Sequence, residues 1–379
     1  MKNKTSLKTA TSAEQHRFHF LDALRGIAAV LVVPRHAPPG LGNSLMTHSS
    51  FLAVDFFFCL SGFVIAFSYE TRLANKLTWV DFTITRVIRL YPIAILSTAI
   101  GLLAYLLNHS PSGHHLPAMS VLPLAILGCL ILPFPHHILF PFDVPMWTLF
   151  LEFWGNMAYG ALVRIRCAGT YVLGFLCTVA LTAVIVAGHN YGTLDVGFTS
   201  QRLWAGFARV ILSFFVGVLV YRLYQRKRVP RLSHSWAAVA AWVLVLTFAA
   251  VLIANPLGAS AAFQLISVIV VFPIVIFVGA EIALPAGWAA LCAFLGTISY
   301  PLYLVHQPFL ALCGELQSNI GRASGTAIAF YFAALVAFAW LIAKFYDAPV
   351  RKALTRFAKH HQTSRSLRLA VEGCRPISN

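Results

Sequence analysis

Arg25 and His36 lie eleven residues apart in or at the edge of the apolar run LDALRGIAAVLVVPRH (21–36). On a helix, eleven residues turn through about 1100°, about 20° past three full turns, so the two side chains share a face. The rise between them is about 16 Å, roughly half a bilayer core. A guanidinium near one end and an imidazole further along the same face describe a polar path through lipid, where an idle ionisable group costs several kcal/mol. Taken singly, Arg25 could be a snorkelling anchor and His36 an interfacial residue. The shared phase favours a functional pair. Arg35 points elsewhere, toward headgroups, and Pro34 loosens the local helix.

Four further segments carry groups able to do chemistry. In FLAVDFFFCLSGFVIAF, Asp55 is costly to bury and calls for a cation, with Arg35 or His36 as candidates. Ser61 and Gly62 of the same run read either as functional groups or as a backbone-bonded hydroxyl and a close-packing glycine. In FTITRVIRLYP, Arg86 and Arg89 share a helical face. They are either topology anchors or two forks for the phosphates of a cytosolic molecule. Glu152 is the acid of DVPMWTLFLEFWGNMAYG, on one face with Asn156 and five residues after Trp147, an aromatic that also suits a membrane interface. Ser299, Tyr303 and His306 form one polar stripe in FLGTISYPLYLVHQPF.

The 379-residue chain is 59% hydrophobic and 11% charged. That balance excludes an ordinary soluble domain and predicts an all-α, polytopic transmembrane bundle. Ten crossings are expected, over 20–37, 50–69, 90–107, 145–163, 171–188, 206–224, 236–254, 261–280, 288–311 and 325–346. The stretch 119–134 is short and contains Pro123, and reads as a re-entrant or interfacial segment. With both termini cytoplasmic, all of the 28 Lys and Arg except Arg35, Arg202, Arg209 and Arg322 fall on or near the inner side. The formal charge of +16 is therefore topological, and nucleic acid is excluded as a partner. The seven cysteines have no metal-type spacing, so neither a disulfide framework nor a metal site is expected. Residues 1–19 form a basic cytoplasmic tail without a cleavage-site pattern, 20–350 the membrane domain, and 351–379 a second basic cytoplasmic tail.

In this order the segments resemble the acyltransferase-3 family of integral-membrane sugar O-acyltransferases. The family's Arg-x10-His stands at Arg25 and His36, and its VDxFFxLSGFxI segment at VDFFFCLSGFVI. Its RxxRLYP runs from Arg86 to Pro92, its W-[ST]-L-x-x-E-F from Trp147 to Phe153, and its LGxISYxLYLxH from Leu295 to His306. Cys59 and Pro301 depart from the commoner residues, and YDAPVRK is a weak form of the family's basic terminal motif.

The resemblance implies a bacterial inner-membrane enzyme that moves an acyl group, usually acetyl, from cytoplasmic acetyl-CoA (acyl-CoA, a co-substrate and not a bound cofactor) to a carbohydrate hydroxyl. Lipopolysaccharide, exopolysaccharide or a glycolipid is the implied acceptor, and the lipid bilayer is the other partner. His36 becomes the general base or acyl-accepting nucleophile, with His306 as second choice, and Arg25 orients or polarises the thioester. Arg86 and Arg89 bind the donor. Glu152 holds His36 in one tautomer or positions the sugar, while Trp147, Asp55 and Tyr303 serve the acceptor. A homo-oligomer is compatible with the sequence. The competing reading is a proton-coupled transporter or lipid-linked-glycan flippase using the same groups as a relay. No internal repeat supports it.

Overall fold

In the computed structural model, the residues described are 18–36, 47–107, 116–134, 137–226, 234–254, 260–284, 286–313 and 325–373. Residues 1–17, 227–233, Arg322 and 374–379 with Cys374 lie outside them. The described chain is a bundle of long helices. α1 (His19–His36) is followed, after a single 3-10 turn, by α2 (Ala53–Asn75). Next come α3 (Trp79–Leu106), α4 (Ala118–Cys129), α5 (Met146–Arg164), α6 (Thr170–Tyr191), α7 (Leu203–Arg226) and α8 (His234–Ile253). α9 spans Ala261–Gly279 with a π-turn at Ser267–Val271. α10 covers Ala286–Leu312, and α11 (Gly325–Ile342) continues through a second π-turn, Ala343–Asp347, into α12 (Ala348–Gly373).

Among the described residues, 8 helices are long and apolar enough to cross a membrane. α1 and α5 are the two remaining expected crossings, and each brings ionisable groups to the bundle: Asp22, Arg25 and Arg35 on α1, Glu152 and Arg164 on α5. The chain is thus a polytopic helical membrane protein. The short apolar stretch forms α4, 12 residues that end where Ile131 takes a left-handed φ of 54°. Twelve residues reach about 18 Å, well short of a bilayer core of about 30 Å.

α3 starts eleven residues before its expected boundary. Thr78 Oγ1 accepts the Asp81 amide at 3.1 Å and donates to the Asp81 carboxylate at 2.7 Å, a cap that polar-to-apolar patterning does not reveal. Arg86 and Arg89 consequently sit within a continuous helix. The next three residues are each tied to another element. Tyr300 of α10 donates to the Leu90 carbonyl at 2.6 Å, Tyr91 to the Leu130 carbonyl at 3.0 Å, and Tyr346 of the second π-turn to the Pro92 carbonyl at 3.1 Å.

Two helix pairs meet backbone to backbone. A Cβ on Gly62 of α2 would lie 1.9 Å from the Phe214 carbonyl oxygen of α7, and one on Gly217 would lie 1.9 Å from the Cys59 carbonyl oxygen. The second pair, α1 with α10, uses Gly26 against Leu295 and Gly296 against Asp22, where added Cβ atoms would come within 2.6 and 2.7 Å of their neighbours. Small residues at membrane helix crossings permit this approach, and the close packing replaces the hydrophobic driving force that lipid does not supply. In this chain it also brings the polar faces of α1 and α10 together.

Candidate active site

The Gly26–Gly296 crossing sets Arg25 against α10. Its Nε donates to Ser299 Oγ at 2.9 Å, and one Nη donates to the Gly296 carbonyl at 2.9 Å and to Asp22 Oδ1 at 3.0 Å. Nearer the far end of the same two helices, His36 Nδ1 meets His306 Nε2 at 3.0 Å. His306 is fully buried, and its Nδ1 faces the carbonyls of Tyr303 at 2.7 Å and Leu302 at 3.3 Å. The Arg25–His36 phase relation therefore has its counterpart on α10, where Ser299 answers Arg25 and His306 answers His36.

A cavity of about 170 Å³ opens beside this interface, and its lining includes Arg25, Ser61, Arg86, Arg89, Glu152 and Tyr303. Glu152 accepts from Ser61 Oγ at 2.7 Å and lies 3.6 Å from an Arg86 Nη. The Arg86 Nε is buried with no partner among the described residues. Arg89 sits over the Tyr300 ring, 5.2 Å from its centroid. Tyr303 is hydrogen-bonded to Thr148 at 3.1 Å, and its ring lies 6.0 Å from that of His306. Three guanidiniums thus border a pocket that Tyr303 also lines, and through the Tyr303 ring the pocket neighbours His306 of the histidine pair. Such forks match phosphate and carboxylate oxygens, and a neutral imidazole accepts protons.

Four sequence expectations are corrected by this geometry. Glu152 does not hold His36: it belongs to Ser61 and Arg86, while the His36 ring is met by His306. Asp55 takes neither Arg35 nor His36 as partner and does not line the cavity. It is 1% exposed and accepts two bonds from Arg209 of α7, at 2.6 and 3.2 Å, plus one from Ser213 at 3.2 Å. Trp147 is 6% exposed, with the Arg209 guanidinium 5.5 Å from its ring centroid, so its ring is packed inside the bundle and is not on the cavity wall. Arg35 is engaged by Asp195 and packs on Phe51, so it is not simply turned toward headgroups. Asn156, on the same helical face as Glu152, donates to the Glu152 main-chain carbonyl at 2.7 Å.

Sequence reasoning passed over Arg209, counted only as a cation off the inner side, although a mid-span arginine in GFARVILSFF is the same kind of signal as Arg25. It also passed over Tyr300, which anchors α3 and carries Arg89. Asp143 was missed as well. It is 1% exposed and accepts from Ser97 at 2.7 Å, and its second carboxyl oxygen has no partner among the described residues. Its signal was an acid inside the apolar stretch PFPHHILFPFDVP.

Comparison with known proteins agrees with the motif order. A relative from Rhizobium radiobacter, described as "Protein 2 in picA locus", is 37% identical over 158 residues, which is 38% of this chain and 81% of that protein. No solved structure matches. Residues 18–344, from the start of α1 to the second π-turn, match the acyltransferase-3 model, described as an acyltransferase domain. With the match spanning every segment that lines the cavity and the histidine pair, the chain belongs to the acyltransferase-3 family.

Proposed function

We propose that this membrane acyltransferase transfers an acyl group, acetyl in the simplest case, from cytoplasmic acyl-CoA to a hydroxyl of a cell-surface or secreted carbohydrate, in the inner membrane of a bacterium. The observation that carries the reading is a single cavity with Arg25, Arg86 and Arg89 on its wall and Tyr303 linking it to the His36–His306 pair. Phosphates of the donor engage Arg86 and Arg89, and the pantetheine arm runs into the cavity toward α1 and α10. Arg25, held by its bonds to Ser299, Asp22 and the Gly296 carbonyl, presents its planar fork toward the thioester without needing to reorganise.

The chemistry balances within the site. Neutral His36 takes the proton of the acceptor hydroxyl as that oxygen attacks the thioester carbonyl. The tetrahedral intermediate carries its negative charge on the former carbonyl oxygen, then collapses with cleavage of the C–S bond. The proton held by His36 passes to the departing sulfur, leaving free CoA and an O-acyl ester. Proximity supplies much of the acceleration, because both reactants are held by separate groups in one bundle.

The test is a comparison of surface and secreted glycans by mass spectrometry in parent, deletion and His36→Ala strains, with a parallel assay of membranes supplied with acyl-CoA. O-acyl increments present in the parent and absent from both other strains are expected. Unchanged glycans in the deletion strain, together with relocation of a solute or lipid-linked glycan, would replace this reading by transport.

A further inference from the structure

We infer that His306 is a positioning residue that fixes His36 in its Nδ1–H tautomer, so that Nε2 of His36 is the atom that takes the proton. The inference rests on the acyl-transfer reading and assigns the two histidines different tasks.

The direction of the relay follows from acceptors that cannot donate. His306 Nδ1 lies 2.7 Å from the Tyr303 carbonyl oxygen and 3.3 Å from that of Leu302. Carbonyl oxygens only accept, so His306 Nδ1 carries the hydrogen. A neutral imidazole has one N–H, which leaves His306 Nε2 with a lone pair. That lone pair faces His36 Nδ1 at 3.0 Å, and the contact is a hydrogen bond only if His36 Nδ1 donates. The proton of neutral His36 is therefore on Nδ1, and its Nε2 is the basic nitrogen. The tautomer is set at one end by the helical backbone of α10 and handed on through two rings, just as any histidine's reactive nitrogen is chosen by the bond its other nitrogen makes.

The same accounting removes His306 as the base. Its hydrogen is committed to a main-chain carbonyl, its lone pair to His36, and the residue is fully buried. When His36 gains a proton on Nε2, the Nδ1–H it already donates becomes a charge-assisted bond to His306, and the acceptor is in place before the charge develops. The expectation that His306 could substitute for His36 as base is thereby replaced by a supporting role, which is the role the sequence had given to Glu152.

The experiment combines nitrogen NMR with kinetics. Protein carrying nitrogen-15 histidine, reconstituted in lipid, is compared with its His36→Ala form to assign the His36 signals. An unprotonated Nε2 and a protonated Nδ1 are expected, and the opposite pattern overturns the proposal whatever the activity. Kinetically, His306→Gln retains an oxygen able to accept from His36 Nδ1 and is expected to keep kcat within about ten-fold of the parent. His306→Leu cannot accept, and is expected to lose about 100-fold or more in kcat at unchanged KM for acyl-CoA, as for loss of an oriented base. His306→Gln as inactive as His36→Ala in folded protein, or His306→Leu fully active, would overturn it. Failure of the acyl-transfer reading shows instead as the absence of any acyl-CoA-dependent product from the parent, while the NMR result still decides the tautomer.

Discussion

At the scale of single residues, the cations of the site differ in how far they are committed: Arg25 is bonded along α1 and α10, whereas the Arg86 Nε has no partner among the described residues. Arg25 makes three directional bonds from a planar group, and a lysine in its place reaches at most part of them with a point charge. Arg25→Lys is expected to lower kcat/KM by at least about ten-fold, since each charge-assisted bond contributes about 1–3 kcal/mol, with protein levels near normal on an immunoblot. Arg86→Ala and Arg89→Ala should raise apparent KM for acyl-CoA more than KM for the carbohydrate. Arg86→Ala is expected to be the more damaging because it also leaves Glu152 with Ser61 alone. Equal effects on both substrates would make them anchors of topology. Arg35→Ala, by contrast, removes an ion pair whose side chains are 29% and 27% exposed, and exposed pairs contribute about 0–1 kcal/mol, so activity should change little. The spacing of Arg25 and His36 made their common face legible, because helical phase is a property of the sequence. The partners of Asp55, Glu152 and Trp147 were not legible. Arg209 lies 154 residues from Asp55, and periodicity within one helix says nothing about which distant helix comes to rest beside it.

At the scale of elements, the helices that hold the site are joined by crossings that tolerate no added atom. Gly62→Ala would drive a methyl into the Phe214 carbonyl, and Gly217→Ala into that of Cys59. Both changes should separate α2 from α7 and reduce the yield of monodisperse protein in detergent. Gly26→Ala should act differently, reducing activity ahead of yield, because it lifts α1 from the Ser299 and His306 face of α10. The Asp55–Arg209 pair lies within the α2–α7 packing and is wholly buried. Asp55→Leu alone strands a guanidinium, and breaking a buried pair costs about 3–5 kcal/mol, whereas Asp55→Leu with Arg209→Leu removes both charges and should recover much of the loss. Thermal melting of the purified variants checks this, and a double variant no better than the single one would give Arg209 a further task. All ten expected crossings correspond to helices, since long apolar runs in this composition have few other solutions. The start of α3 was misplaced because a capping pair, Thr78 and Asp81, decides it and no hydropathy window registers such a pair.

At the scale of the whole molecule, the distribution of Lys and Arg and the shortness of α4 bear on one question, the sidedness of the bundle. A 12-residue helix that cannot span leaves α5 entering the membrane from the side on which α3 emerges. Both termini and residues 225–231 are then expected to be cytoplasmic, with 109–144 failing to cross. Single cysteines placed at these positions and probed with a membrane-impermeant thiol reagent in intact cells check the arrangement. Labelling of 225–231 from outside would require α4 to cross after all. With that arrangement, the end of α3 that carries Arg86 and Arg89 lies on the cytoplasmic side, as the proposed use of acyl-CoA requires.

The bonds of Arg25 also set an order on biosynthesis. Its Ser299 partner lies 274 residues further along the chain. At about 5–20 residues per second, roughly 14–55 s separate the synthesis of the two. Throughout that interval Arg25 of α1 has left the ribosome without Ser299 and the Gly296 carbonyl, and lipid is a poor place to wait. Newly made α1 must therefore linger at the insertion machinery, lie at the interface, or shelter temporarily against α2. A lesion anywhere before the end of α10 thus strands the first helix as well as the last, so nascent chains that stall late should be degraded from a defect felt at their beginning.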